Sequence, residues 1–514
     1  MKRLLGMLLA VVMTLACLGG SALAESKEPV VLDMFVDEFW WPYQDWSGDL
    51  PRWFVEQTGV DFDVTIAADT TELSMIAVSG DLPDIVVTSQ FNLMSNSDLC
   101  YTWEELIEKY NIDAAIHPAY KFVNTAVDGN MYTIQVGWSA DYEYEQFPGV
   151  NPEGSSLVMR KDILDAVLAE TGLTEIKTVE ELEKCFDACL KLYPDVVPHT
   201  VCDTNQLYRW HEALYGAGRN GFVDKDGQAM LWIYDDNYRA AVLKMAEWMR
   251  KGYMVAENLS WNGITIGQEW ELAGRVFTQA HLTSGSEGHT NAARNAGLDY
   301  TFVPLTTIYT DTSAEIIPDV GWRGLYITKN CKDPEAAIKA ALALYSKDIG
   351  YTMLWGFEHE DWDWNDDKTV TYHYESSDTE LAAKRQFKWG WLGHDGISNN
   401  MQWMKTDVTR DGLQWVGSIA KRNPVLGIVM NRMDVESDEY IIYQNILELE
   451  RTYQSKILLA KTAEEAEAAF DEMIKTADNL GGQQVNAWAN ALYPEMIKAY
   501  DEVRSIGAEG WERK

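Results

Sequence analysis

The aromatic residues of this sequence are the residue types best suited to hold a ligand. The chain has 21 Trp and 25 Tyr but only 14 Phe, although Phe fills a core without a polar group to satisfy. Trp and Tyr combine a large apolar face with a hydrogen-bonding group, which suits surfaces that bind a ligand while staying hydrated. Sugar rings present C–H patches that stack on such faces, and their hydroxyls need carboxylate or amide partners. The composition therefore favours a sugar-like ligand.

Sequence motifs of the common catalytic centres are absent. The chain has no G-x-S-x-G nucleophile elbow, no H-E-x-x-H zinc motif and no P-loop, and its 8 histidines are scattered. A glycosidase, however, needs only two carboxylates roughly 5–10 Å apart. The 80 acidic residues always allow such a pair. We therefore expect a protein that is not an enzyme and needs no cofactor, with a secreted glycoside hydrolase as the alternative.

Metal-binding patterns are weak. One segment alternates like the opening of a calcium-binding loop, with Asp361, Asp363, Asn365 and Asp367. Its sixth position is Asp366 rather than Gly and its twelfth is Tyr372 rather than Glu, so it fails the EF-hand pattern. The cysteines are sparse and include no C-x-x-C pair of the kind found in zinc and redox sites. We expect buried thiols, a solvated acidic loop and no metal site.

The N-terminus has the pattern of an export signal. Lys2 and Arg3 precede an apolar run over residues 4–16, and small residues follow up to Ala24. This order predicts a signal peptide over residues 1–24 and places the protein at the extracellular face of the membrane or in the periplasm. Residues 14–17 resemble a bacterial lipobox, but Thr14 replaces the usual aliphatic residue. Lipidation of Cys17 and cleavage after Ala24 therefore stay open as alternatives.

Charge and length restrict the partners and the architecture. The formal net charge of −38 repels nucleic acids and anionic membranes. We expect no nucleic-acid partner, and membrane contact only through a lipid anchor. The 514 residues exceed one ordinary hydrophobic core, which predicts two lobes. Strand-like and helix-like runs alternate from Val30 to Val87, which is typical of a parallel sheet covered by helices.

Several segments, in order along the chain, resemble the sugar-binding solute-binding proteins of ABC importers, the group related to maltose-binding proteins. The segments are Gly80–Ile85 (GDLPDI), Asp128–Ile134 (DGNMYTI), Leu157–Leu164 (LVMRKDIL), Lys177–Leu182 (KTVEEL), Gly321–Ile327 (GWRGLYI) and Asn330–Ala337 (NCKDPEAA). Local physical chemistry explains two of them, because Thr178 and Glu181 form a capping box and Asp333 caps a helix that begins with Pro334.

The resemblance implies a two-lobed α/β fold of the periplasmic-binding-protein (Venus flytrap) type, with crossover hinge strands. The N-terminal lobe would comprise residues 25–137 and 305–375, and the C-terminal lobe residues 138–304 and 376–514. The implied function is extracellular capture of a neutral carbohydrate, an oligosaccharide, by cleft closure and delivery to an ABC permease. The protein is expected to be a monomer. A non-transport glycan-binding or adhesion protein is a further alternative.

Ligand contacts are expected in the cleft, because open α/β sheets bind ligands at the carboxyl ends of their parallel strands. Trp391 forms one aromatic–carboxylate cluster with Trp389 and Asp395, two of the candidates named below. The selected residues are Trp322, Arg323, Trp40, Trp41, Tyr43, Asp84, Trp138, Trp270, Trp389 and Asp395. Lys and Arg are scarce in these segments apart from Arg323, which favours a neutral glycan.

Overall fold

The computed structural model describes residues 28–507 apart from residues 153, 203–206, 208, 262–263, 309 and 319. The predictions of a signal peptide over residues 1–24 and of lipidation at Cys17 lie outside the described residues. The strands are β1 (Val30–Val36), β2 (Val60–Ile66), β3 (Ile85–Thr88), β4 (Ser155–Arg160), β5 (Val197–Val201), β6 (Phe222–Lys225), β7 (Gln228–Leu231), β8 (Val276–Leu282), β9 (Phe302–Pro304), β10 (Glu315–Ile317), β11 (Gly324–Ile327), β12 (Trp362–Trp364), β13 (Val370–Tyr372) and β14 (Ala420–Arg422).

Helices account for much of the remaining chain. The α-helices are α1 (Asp49–Thr58), α2 (Glu72–Ser79), α3 (Phe91–Met94), α4 (Trp103–Lys109), α5 (Pro118–Asn124), α6 (Asp141–Gln146), α7 (Lys161–Thr171), α8 (Val179–Leu192), α9 (Arg209–Tyr215), α10 (Asp236–Lys251), α11 (Ile264–Leu272), α12 (Gly285–Asn295), α13 (Pro334–Tyr345), α14 (Lys347–Trp355), α15 (Thr379–Arg385), α16 (Gly396–Gln402), α17 (Asp407–Ile419), α18 (Pro424–Asn431), α19 (Asp438–Leu458), α20 (Ala463–Leu480) and α21 (Gly482–Arg504). Short 3₁₀ turns cover Trp232–Tyr234, Ala256–Ser260 and Phe387–Leu392.

Two four-stranded sheets form the centres of the two lobes. The first sheet has the order β11-β3-β1-β2, in which β1, β2 and β3 are parallel and β11 is antiparallel to β3. The second has the order β5-β8-β4-β9, in which β5 and β8 are parallel and β4 is antiparallel to both β8 and β9. Since β11 of the first sheet comes after all four strands of the second sheet in the sequence, the chain crosses between the lobes more than once. The predicted strand–helix alternation is confirmed.

The predicted helix caps are confirmed in both segments. Thr178 accepts a hydrogen bond from the Glu181 backbone and completes a capping box at α8. Asp333 accepts from the backbone of Ala336 and α13 begins with Pro334. Each cap satisfies backbone N–H groups that have no partner inside the helix, so these helix starts are encoded locally.

The segment after residue 375 packs against the first lobe rather than the second. The Arg385 guanidinium binds Asp49 of α1 at 2.8 Å, and the Trp389 ring lies 5.1 Å from Trp46 and 5.3 Å from Trp41. A division at residues 375 and 376, as expected from the sequence, would separate these contacts. The predicted lobe bounds stay a prediction, and from these contacts we propose that the first lobe extends to about the end of the 3₁₀ turn at Leu392.

The cysteines are buried thiols, as the sequence predicts. Cys100, Cys185, Cys189 and Cys331 are free and buried, and Cys202 is buried as well. Burial raises the pKa of the Cys185 thiol to about 11, so it stays protonated near neutral pH. Among the described residues, no helix has both the length and the apolar character needed to cross a bilayer.

Two histidines lie in the core of the second lobe. The rings of His199 and His211 are 5.0 Å apart, and each lies 5.2 Å from the ring of Trp248. Burial lowers the pKa of His211 to about 3, and burial together with His211 lowers the pKa of His199 well below its usual value. Both imidazoles are therefore neutral in the folded protein at neutral pH.

Acid is expected to destabilise the protein through these histidines. The unfolded chain binds protons below the ordinary histidine pKa of about 6.5 while the folded chain does not, so stability is present above that pH and falls below it. From pH 7 to pH 5 the loss is about 2 kcal/mol per histidine. Urea unfolding at both pH values checks this. The His211→Phe variant should lose less stability over this range, and a loss equal to that of the wild type would contradict the prediction.

Candidate functional site

One edge of the first-lobe sheet collects polar and aromatic side chains. Asp37 and Glu38 follow the carboxyl end of β1, and Gln90 follows that of β3. Gly324 of β11 pairs with Thr88 of β3, so the residues just before β11 reach the same edge although the strand is antiparallel. This edge adjoins a crossover, because the Val136 backbone N–H donates to the Arg323 carbonyl.

Three tryptophans form an aromatic surface at this edge, which we call the tryptophan platform (Trp40, Trp322 and Trp391). The rings of Trp40 and Trp322 are stacked with centroids 6.5 Å apart, and the ring of Trp391 lies 6.2 Å from Trp40 and 6.4 Å from Trp322. Trp40 is 42% exposed and Trp322 is 38% exposed. Trp391 is half-buried. Large indole faces left open to solvent are suited to stacking on a ligand ring.

Arg323 supports the platform from beneath. Its side chain is only 1% exposed, and its guanidinium carbon lies 4.0 Å from the Trp322 ring centroid and 4.6 Å from that of Trp41. Its Nη2 donates to the Trp391 carbonyl at 2.9 Å. Cation–π contacts of this kind orient a ring, and they are strongest where water is excluded. Arg323 therefore fixes Trp322 and Trp391 rather than contacting a ligand over a large surface.

Carboxylates lie beside the platform. Asp37 accepts hydrogen bonds from Thr88 Oγ1 at 2.7 Å and from Gln90 Nε2 at 3.0 Å. Burial raises the pKa of Asp37, and burial raises the pKa of Glu38 although the nearby Arg323 opposes that shift. Partly desolvated carboxylates are effective acceptors for ligand hydroxyls, because little solvation is lost when the hydroxyl binds.

Lys388 adds a cation that the sequence did not identify. Its Nζ lies 4.2 Å from the Trp391 ring centroid and its side chain is half-buried. Burial and, to a smaller extent, the charge of Arg323 lower the pKa of Lys388 to about 8. We expected a neutral ligand because Arg323 was the main cation in the predicted cleft segments. Lys388 is a second cation at the platform, so that reason for a neutral ligand no longer holds.

A glycine in the crossover lets Trp322 approach the backbone. Gly137 has φ +82°, and a Cβ at this position would lie 3.0 Å from Trp322 Cδ1. Its N–H donates to the His394 carbonyl at 3.0 Å, which joins this crossover to the segment that leads out of the first lobe. A side chain at residue 137 would both strain the backbone and displace the ring.

Four other predicted site residues lie in or near the packed interior of the first lobe or its crossover. Trp41, Trp138 and Trp389 are buried in the core, and Tyr43 is half-buried with its hydroxyl donating to the Ala382 carbonyl at 3.2 Å. Trp41 still serves the site indirectly, since its ring lies 5.7 Å from Trp40 and contacts Arg323. Because these four rings are buried or half-buried, they offer less free surface to a ligand than the platform does.

Asp84 and Trp270 lie away from the platform, and Asp395 serves as a helix cap. Asp84 precedes β3, at the opposite edge of the sheet from the platform, and accepts hydrogen bonds from the backbone N–H groups of Asp33 and Lys332. Asp395 caps α16. Trp270 is on α11 in the second lobe, where Arg275 stacks on its ring at 3.5 Å. Of the predicted set, the structure thus brings together Trp40, Trp41, Trp322 and Arg323, with Trp389 and Tyr43 packed behind Trp41.

The second-lobe sheet offers a matching edge. Ser155 at the start of β4 pairs with Leu282 at the end of β8, and β5 ends at the same edge because it is parallel to β8. Glu287 follows β8 on α12 and is half-buried. The chain passes from β9 at this edge to Trp322 at the edge of the first lobe.

Sequence comparisons identify no relative, whereas structure comparison finds many. No protein-family model and no curated protein sequence matches the chain. The ABC-transporter substrate-binding protein FusA of S. pneumoniae, solved with kestose, is similar with a TM-score of 0.67 at 15% identity, over 91% of this chain and 99% of that one. The fold is that of a solute-binding protein. The alginate-binding protein AlgQ2 gives a TM-score of 0.66 at 16% identity, over 92% of this chain and 98% of that one.

A third solute-binding structure agrees with these two. The N-glycan transport protein NgtS of Streptococcus pneumoniae has a TM-score of 0.56 at 16% identity, over 93% of this chain and 99% of that one. The two-lobed solute-binding fold predicted from the sequence is therefore confirmed. At such low identity the likeness extends to the fold, and the ligand has to be argued from the side chains of this chain.

Proposed function

We propose that this chain captures an oligosaccharide in its cleft and delivers it to the permease of an ABC importer. The observation that carries the proposal is the tryptophan platform, which lies with Asp37 and Glu38 at the cleft edge of a solute-binding fold. The indole faces would stack on sugar rings, and the carboxylates would accept hydrogen bonds from hydroxyls. Those similar structures whose printed names mention kestose, alginate or an N-glycan give independent support for a saccharide.

Binding would act through closure of the two lobes. Ligand first contacts the platform of the first lobe, and movement about the crossovers then brings the edge of the second lobe against it. Because the closed form makes more contacts with the ligand, binding shifts the population toward that form, and the permease distinguishes closed from open. This scheme needs no bond-breaking step and no cofactor.

Export is part of the proposal. We propose that the mature chain works as a monomer outside the cytoplasmic membrane, either released by cleavage after Ala24 or held by a lipid on Cys17. The mass of the mature N-terminus separates the two forms, since only the second carries acyl groups on residue 17.

A ligand screen tests the proposed function directly. Protein lacking residues 1–24 is heated with mono- and oligosaccharides, uronates and short peptides, and product formation is followed by chromatography. We expect the melting temperature to rise with oligosaccharide concentration, as mass action requires for a ligand of the folded state, while the saccharide stays intact. Peptide binding alone would contradict the saccharide assignment, and cleavage of the glycan would favour the glycoside-hydrolase alternative.

A further inference from the structure

Lys388 is a cation beside the platform that has no carboxylate partner among the described residues. Its Nζ lies 4.2 Å from the ring centroid of Trp391, and no carboxylate of the described residues comes within 4.0 Å of it. The chain has 80 acidic and 42 basic residues, so unpaired lysines in partly buried positions need a reason. Lys251, by contrast, contacts two carboxylates at 2.7 and 2.6 Å.

Arg323 increases the positive charge at the same place. Its Nε and Nη1 have no hydrogen-bond partner among the described residues, and its one carboxylate neighbour there, Glu38, lies 3.9 Å from Nη1. Among the described residues, Arg323 therefore has one carboxylate at 3.9 Å and Lys388 has none within 4.0 Å, although both lie against the indole rings. Removing cations from water without a full set of partners costs free energy, and a bound anion would offset that cost.

We propose that the saccharide unit bound against Trp391 carries a carboxylate, as in a uronic acid, and that Lys388 Nζ binds it. This inference rests on the proposed function and specifies its substrate class as an acidic oligosaccharide. Arg323 is too deeply buried to be the main contact, and it contributes through its field and by holding Trp391. The ring of the acidic unit would stack on the indole while its carboxylate reaches the ammonium group.

A hydroxyl would satisfy Lys388 less well than a carboxylate. A neutral acceptor makes a hydrogen bond but leaves the charge of the pair Lys388 and Arg323 uncompensated. A hydrogen bond between two ionised groups is about twice as strong as one between neutral groups. The net charge of −38 means that most of the protein surface repels anions. Binding of an acidic ligand therefore depends on the local cations Lys388 and Arg323.

Matched pairs of ligands test the inference. Tetramers of galacturonate, of mannuronate and of glucuronate-substituted xylose are each compared with their methyl esters, which keep the rings and linkages but lose the charge. Binding is measured by calorimetry alongside neutral tetrasaccharides. We expect at least one acid to bind about tenfold or more tightly than its ester, and the Lys388→Gln variant to reduce that ratio to within about twofold.

Lys384→Gln is the matched control. Lys384 is four residues away, is exposed and lies 3.7 Å from Asp49, outside the platform, so this variant should keep the ratio of acid to ester affinity. Equal affinity for acids and esters, or a ratio of acid to ester affinity that Lys388→Gln leaves unchanged, would overturn the inference while the proposed function stands. Failure of every acidic, esterified and neutral saccharide to bind would instead overturn the proposed function.

Discussion

Replacing Trp322 with alanine is expected to weaken saccharide binding by about 2 kcal/mol, or roughly 30-fold in Kd. Trp322 is the platform ring that contacts Trp40, Trp391 and the guanidinium of Arg323, so its removal takes away one stacking face and loosens the others. Calorimetry with the tightest saccharide found in the ligand screen measures the loss. Trp322→Phe should recover part of the affinity, because an aromatic face remains.

Trp488→Ala is the control for that experiment. Trp488 is a half-buried ring on α21 whose centroid lies 6.4 Å from that of Phe222, on the second lobe. Its loss should lower stability and leave Kd unchanged within about twofold. If Trp322→Ala binds as tightly as the wild type while Trp488→Ala also does, the platform is not the ligand site. The cleft then has to bind through another surface.

Replacing Arg385 with methionine is expected to destabilise the first lobe by about 3 kcal/mol or more. Arg385 is buried and binds Asp49 at 2.8 Å, Asp361 at 3.1 Å and also Glu360. Asp361 is itself buried, so removing the guanidinium leaves a carboxylate without its charge partner. The midpoint of urea unfolding, followed by tryptophan fluorescence, measures the change.

Two further variants make the Arg385 result specific. Arg451→Met removes an exposed arginine that lies 3.8 Å from Glu448, and it should cost less than about 1 kcal/mol. Adding Asp361→Asn to Arg385→Met should restore part of the stability, because the amide oxygen still accepts from the Phe357 backbone and the buried charge is gone. A loss for Arg385→Met as small as that for Arg451→Met would contradict the prediction.

The Arg385 network also explains the acidic loop. Asp361 pairs with Arg385, and Asp363 accepts hydrogen bonds from His359 at 2.6 Å and from His373 at 2.8 Å. Asp361 and Asp363, two acidic residues of the calcium-loop-like segment, thus bind side chains of the protein itself. The sequence shows only the spacing of these acidic residues. Their hydrogen-bond and ion-pair partners lie up to 24 positions away along the chain.

The sequence by itself determined the architecture of this protein. Alternating strand and helix patterns, local caps such as Thr178 and Asp333, and the ordered motifs depend on neighbours within a few residues, so they are readable along the chain. The burial of the cysteines also followed from residue type, whereas ligand contact at Trp322 and Arg323, which the family resemblance implies, stays a prediction.

Only the tertiary structure decided which aromatic residues support the core and which face the cleft. Trp40 and Trp41 are adjacent in sequence, yet one is exposed and the other buried, because the turn after β1 directs neighbouring side chains to opposite sides. Trp391 and Lys388 join the platform from a 3₁₀ turn that lies more than 60 residues beyond Trp322. Asp84 is at the far edge because parallel strands begin there. Such contacts depend on strand register and long-range packing, and residue types and spacing do not contain them.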